Sequence, residues 1–308
     1  MYQKLFENWR KFRVLSERVK PGSFYPADFD KFMDLINQYK DDTWVFFDTE
    51  TTGLMYKEQQ VQATQIACLA YNTNGFEEGT TPEVVDGGTF NVKVKLQPET
   101  LDYMKNQEAD IAGGAQVKFP MKKILKMNRY GDPTAPFLKP EQAADQFEEF
   151  LNRMREQSPS GKIVMIAQNS PFDVGILNSM YERLGREPPD DETWDTKASL
   201  QVHLHPILEM IKNDPEASEE DKELLKNLTG SSRGRELFSS SLGVVVKAFK
   251  LEDKGWHDAL ADVAMTMDML EAVVNFVRRK KDQYQVDYSA VPEFDAMAGD
   301  PHNPKRGY

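Results

Sequence analysis

Thr43 to Leu54 reads TWVFFDTETTGL, and this stretch decides the fold. Trp44, Val45, Phe46 and Phe47 form a short unbroken apolar run, the pattern of a strand covered on both faces rather than one. Asp48 and Glu50 follow two residues apart, so the period-two alternation of a strand sets both carboxylates on one face at its end. Two converging acids repel unless a cation lies between them, and hard oxygen donors of this kind suit Mg²⁺ or Mn²⁺. The same residues also read as a polar turn, with Asp48, Thr49 and Thr51 bonding the backbone ahead of Gly53.

Outward from this strand the chain alternates. Val61 to Tyr71 and Thr89 to Leu96 predict two more strands, with NTNG and DGG as turns on either side of the segment between them. TLDYMKNQEADIA predicts a helix, and EQAADQFEEFLNRMREQ predicts an amphipathic one through Ala143, Phe147, Phe150, Leu151 and Met154. Lys162 to Ala167 reads as another buried strand and Pro171 to Leu184 as the helix after it. The last helix is long, from HDALADV to the basic run VRRKK. Strands alternating with helices define an α/β layered fold.

The flanks carry less. Residues 1 to 20 have six bases against two acids and apolar spacing of an amphipathic helix, which either packs on the domain or touches nucleic acid or a protein partner. DFDKFMDLINQYK predicts a second short helix. Residues 214 to 223 hold six acids and one Lys, and Thr229 to Ser241 is rich in Ser, Gly and Arg; these read as a solvated face and a mobile loop. The expected organisation is an extension over 1–42, a catalytic domain over 43–284 with an insertion near 200–240, and an extended tail over 285–308.

Two later junctions could add to the acids of the first strand. In AQNSPFDVGIL, Ser170 suits a helix N-cap and Pro171 the first helical position, which leaves Asp173 as a capping-box acid or as a ligand. In GWHDALAD, His257 and Asp262 lie five residues apart, about 140° around a helix and about 7.5 Å along it. They share no stripe, yet a histidine at the helix entrance can face a pocket that Asp262 also reaches. Otherwise His257 is a capping or packing residue.

In this order, Asp48-x-Glu50, Asn169-x-x-x-Asp173 and His257-x-x-x-x-Asp262, the chain resembles the DEDDh 3′-5′ exonuclease family of the DnaQ-like, proofreading type. FFDTETTGL and HDALADV carry most of the resemblance, which covers about Thr43 to Lys281; the sister group places Tyr four residues before the last Asp, where this chain has Asp258. The resemblance implies a ribonuclease-H-like fold, a mixed five-stranded sheet flanked by helices, with the acids at one end of its central strands. It implies two Mg²⁺ or Mn²⁺ ions, with Asp48 bridging them, Glu50 and Asp262 completing one site and Asp173 holding the other. His257 would be the general base. Thr51, Gly53 and Leu54 would receive the terminal nucleotide, and Asn169 would lie near the scissile phosphate. Asp195, in WDTKASL, matches a recurrent structural segment and is read as non-catalytic.

Composition is compatible with this. A chain of 308 residues with 40% hydrophobic side chains builds a core without disulfide or metal staples. One cysteine, Cys68, and four histidines leave no set for structural zinc, and a reducing cytoplasm is the expected location. No apolar run approaches the roughly 18 residues of a membrane span. The net charge of -12 excludes a generic basic coat for nucleic acid, so attraction would fall to a metal-centred pocket and to local basic patches. Lys118 to Arg129 has five bases and no acid; Lys122, Lys123, Arg278 and Arg279 are the candidate phosphate contacts. The expected partner is the 3′ end of a single strand, DNA before RNA, with a polymerase or replication protein as a possible associate. The alternatives are an exoribonuclease and a non-catalytic nucleic-acid-binding module.

Overall fold

The computed structural model describes residues 29–53, 61–74, 76, 82–112, 125–126, 137–232, 235–255 and 258–284. The amphipathic segment 1–20, Leu54, most of the basic stretch with Lys122 and Lys123, His257 and the tail from Gln285 lie outside the described residues. Strand β1 (Thr43–Thr51) sits inside a six-stranded sheet ordered β4-β3-β2-β1-β5-β6. β2 (Ala63–Asn72) and β3 (Glu83–Val94) run antiparallel in succession, whereas β5 (Ile163–Ala167) and β6 (Glu192–Asp195) continue parallel on the other side of β1. This is the ribonuclease-H-like arrangement, with one difference from the expected five strands. A sixth, β4 (Phe137–Leu138), adds two residues parallel to the end of β3.

Alternation along β1 divides the core in two. Trp44 and Phe46 face one side, where α1 (Phe29–Gln38) and the long α9 (Ala259–Tyr284) pack. Val45 and Phe47 face the other, under α3 (Pro140–Gln157) and α4 (Ser170–Arg183). Phe147, Phe150, Leu151 and Met154 of α3 are fully buried there, as their spacing predicts. Helix α2 (Pro98–Ala112) also forms where its sequence predicts. Helix α1 belongs to the core, since Phe32 and Ile36 are fully buried.

Two expectations fail for physical reasons. DGG is not a turn but a bulge inside β3, which therefore starts at Glu83. The register slips between Leu69 and Tyr71 opposite it, and a Cβ on Gly88 would lie 2.6 Å from the Val85 carbonyl oxygen and 3.0 Å from that of Ala70. Only glycine fits so close to two backbones. The segment after β6 is likewise no loose insertion. A short α5 (Thr196–Ser199), a π-helical turn (Leu200–Leu204), α6 (His205–Lys212) and α7 (Glu219–Leu228) run into a hairpin of β7 (Thr229–Ser232) and β8 (Arg235–Phe238), and then α8 (Leu242–Ala248). Ile207, Leu208, Ile211, Leu228 and Val245 bury themselves in the same cluster as α9. Within the charge run that suggested a solvated face, Glu219, Glu220 and Glu223 are exposed on α7, whereas Asp221, like Leu225 and Leu228, is buried.

Candidate active site

β1, β5 and β6 are parallel, so their C-terminal ends share one edge of the sheet, and the predicted site residues among the described ones lie toward it. Asp48 and Glu50 continue the face of Trp44 and Phe46, which is the face covered by α9. Asp262 stands in the first turn of α9, where its amide donates to the Asp258 carbonyl at 2.9 Å. Asp258 Oδ1 accepts from the amides of Leu260 and Ala261 at 3.2 and 3.4 Å, so the residue that replaces the sister group's Tyr caps this helix. One oxygen each of Asp48, Glu50 and Asp262 lies within 4.8 Å of the others, a carboxylate trio brought together from a strand end and a helix start.

Asp173 is 3% exposed and sits beside this trio rather than in it. Its Oδ1 accepts from the Thr49 amide at 3.0 Å and from the Thr49 hydroxyl at 2.6 Å. Thr49 alternates to the opposite side of β1 from Asp48 and Glu50, so Asp173 reaches the strand end from the α4 side. The sequence offered Ser170 as the cap of α4; the cap is Asn169, in the left-handed region at φ 73. Asp195 sustains that turn by accepting from the amides of Asn169 at 2.9 Å and Lys197 at 3.0 Å, which ties the end of β5 to the end of β6. Its role is structural, as the sequence suggests. Lys197 Nζ lies 3.4 Å from Asn169 Oδ1.

The turn after β1 is equally fixed. Thr52 and Gln62 exchange two bonds at 3.0 Å, Thr52 N–H to the Gln62 carbonyl and Gln62 N–H to the Thr52 hydroxyl. The Thr51 hydroxyl donates to the Gly53 carbonyl at 2.6 Å, and a Cβ on Gly53 would meet Val61 Cγ2 at 3.2 Å. Thr51 and Gly53 thus border the trio on a braced loop.

Burial and mutual repulsion set the electrostatics. Asp48 is pushed well above the usual carboxylate range, first by burial and then by Asp173, Asp262, Glu50 and Asp258. Burial and Asp262 raise Glu50 to about 7, against the pull of Lys93, with smaller contributions from Asp258 and Asp173. Burial also raises Asp173 to about 7, although its bonds to Thr49 act in the opposite direction. Buried carboxylates that crowd in this way favour a divalent cation over protons near neutral pH. The donor set is all oxygen, which fits a hard cation, and Asp48, Glu50 and Asp262 would hold it.

Sequence reasoning missed Lys93, Thr49 as the anchor of Asp173, and Asp258 as a cap. Thr89, Asn91 and Lys93 alternate with Phe90, Val92 and Val94, a visible signal that one face of β3 is polar. Arg278 was a candidate phosphate contact; it instead donates to the Phe76 carbonyl, about 24 Å along α9 from Asp262 at about 1.5 Å per residue. No helix among the described residues is long and apolar enough to cross a membrane.

No family model and no curated protein matches the chain. Among solved structures it is similar to E. coli exonuclease I in complex with a dT13 oligonucleotide, at 17% identity over 79% of this chain and 43% of that one, TM-score 0.49. A product-bound exonuclease I is 18% identical over 76% of this chain and 44% of that one, TM-score 0.45. Cell-death related nuclease 4 (CRN-4) is 16% identical over 76% of this chain and 64% of that one, TM-score 0.40. The chain spans less than half the length of these exonuclease I chains.

Proposed function

We propose that the chain is a divalent-metal-dependent 3′-5′ exonuclease of the DEDDh type, acting on single-stranded or frayed DNA ends and releasing nucleoside 5′-monophosphates. The carboxylate trio of Asp48, Glu50 and Asp262 carries this reading, because three half-buried acids within 4.8 Å of one another are eased by a cation when ionised. When bound, two Mg²⁺ or Mn²⁺ ions lower the pKa of water and neutralise charge on the phosphate and on the leaving oxygen.

The chain supplies the rest. Asp173, anchored to Thr49, would hold a second ion. His257, by its match to the family motif, would take the proton of the attacking water; an imidazole near its own pKa can do so at neutral pH. Thr51, Gly53 and Leu54 would seat the terminal nucleoside. Asn169 would border the scissile phosphate, where its left-handed turn is fixed by Asp195.

An exoribonuclease is the nearest rival, since the same centre hydrolyses either polymer and discrimination rests on contacts to the 2′-hydroxyl. A polymerase-associated proofreading role is compatible with either substrate. Labelled DNA and RNA oligomers, single and double stranded, incubated with Mg²⁺, Mn²⁺ or chelator, decide between them. The expected result is metal-dependent loss of single nucleotides from the 3′ end, faster for DNA. Faster RNA cleavage reverses the substrate assignment, and intact 3′ ends under every condition refute the nuclease.

A further inference from the structure

A buried ammonium stands beside the acids. In the register of the sheet Glu50 pairs with Gln65 and Gln65 with Lys93, so all three side chains leave one face in a row across β1, β2 and β3. Adjacent strands lie about 4.8 Å apart, which sets the backbone of Lys93 about 10 Å from that of Glu50, with Gln65 between them. Lys93 is only 8% exposed and Gln65 is fully buried. Lys93 Nζ donates to Gln65 Oε1 at 2.6 Å, while Gln65 Nε2 donates to Asn91 Oδ1 at 2.8 Å. Asn91 and Thr89 on the same face are exposed, so the row runs from the acids out to the surface of β3.

A lysine at a strand position this well covered carries a desolvation cost that an apolar residue would avoid. Its side chain is held in one place by an amide that is itself held, which is how a charge is fixed for use rather than left to sample solvent. The charge helps Glu50 stay ionised.

We infer that Lys93 is a substrate-contacting cation of the site, which binds a phosphodiester near the 3′ end of the incoming strand, with Gln65 and Asn91 as its positioning residues. The inference rests on the exonuclease reading and deepens it. The four acids would be neutralised by two divalent ions, and the charge of Lys93 would then balance that of Asp258, so that the pocket no longer repels a polyanion.

The test measures release of the first nucleotide from oligodeoxynucleotides that carry one uncharged methylphosphonate at each of the three linkages nearest the 3′ end in turn. Lys93→Gln keeps an amide that can bond Gln65, and Lys93→Arg keeps the charge; thermal melting checks that both fold. Lys93→Gln is expected to raise KM about tenfold with kcat within about twofold, the scale of one charge-assisted bond, and Lys93→Arg to recover most of it. One neutral linkage should raise the wild-type KM similarly and have little further effect in Lys93→Gln. Equal sensitivity of wild type and variant to every linkage overturns the inference, as does a fall in kcat with unchanged KM. If Lys93→Gln does not fold, indifference of the wild type to all three neutral linkages overturns it. A wild type that releases no nucleotide from any substrate refutes the exonuclease reading itself, and the role of Lys93 with it.

Discussion

The two ends of α9 both take acids out of open solvent, and they treat them in opposite ways. Toward its C-terminus Lys280 Nζ meets Asp221 Oδ2 of α7 at 2.7 Å, with Asp221 only 4% exposed. Ser218 also donates to that carboxylate at 2.7 Å. Although burial pushes the other way, these partners hold Asp221 below the usual carboxylate range. At the N-terminal end Asp262 meets Asp48 and Glu50, and the acids there are raised. A buried carboxylate that serves the fold is matched with a cation of the chain. Under the proposed function, the acids that serve chemistry are left crowded, so that an external cation would complete them.

The contrast can be broken at either end. The largest effect is expected from Asp48→Asn, which keeps the volume but removes a ligand charge. Hydrolysis should fall by about 10⁴-fold, while the metal-free protein melts no lower than wild type because repulsion is relieved. A clear loss of melting temperature would mean that Asp48 holds the fold. Lys280→Met should do the reverse. It strands Asp221 without its partner, and denaturant unfolding should show a loss of about 3–5 kcal/mol with kcat unchanged at a temperature where the variant is folded. His257→Ala is a smaller, purely catalytic lesion, with hydrolysis slowed about 10²-fold and Mn²⁺ affinity unaltered in a calorimetric titration. An unchanged rate would remove His257 as the base.

The same contrast explains what the sequence made legible. TWVFFDTET placed a strand and two carboxylates at once, because a short apolar run reads as a strand covered on both faces and its alternation sets Asp48 and Glu50 on one side. α3 was legible from five apolar positions on one stripe. The segment from Thr196 to Ala248 was not. Its buried residues are split among short helices and a hairpin, none long enough for periodicity to show, and its charged residues dominate by number. Asp221 looks in sequence like its acidic neighbours; only the fold brings Lys280 to it from 59 positions away. Asp173 misled for a related reason. It would stand at the capping-box position if Ser170 were the cap; the cap is Asn169, and the Asp173 carboxylate bonds Thr49, 124 positions earlier.

The smallest expected effect concerns pH, and its sign separates the two ends most finely. Glu50 and Asp173 have folded values raised to about 7 from about 4 in an unfolded chain. Their contribution to the metal-free fold is therefore present below about pH 4 and declines as pH rises toward 7. Asp221 has a lowered folded value, so its contribution is present above the unfolded value and is lost as pH falls through the folded one. A divalent ion binds only the ionised carboxylates of the folded state, so it should restore what the first group loses. The rise in melting temperature caused by Mn²⁺ should accordingly grow between pH 5.5 and pH 8. In Asp48→Asn that rise should shrink at every pH, whereas in Lys280→Met it should persist on a lower baseline. An Mn²⁺ effect independent of pH, or one retained in full by Asp48→Asn, would show that the ion binds elsewhere and that the crowding of Asp48, Glu50 and Asp262 has another cause.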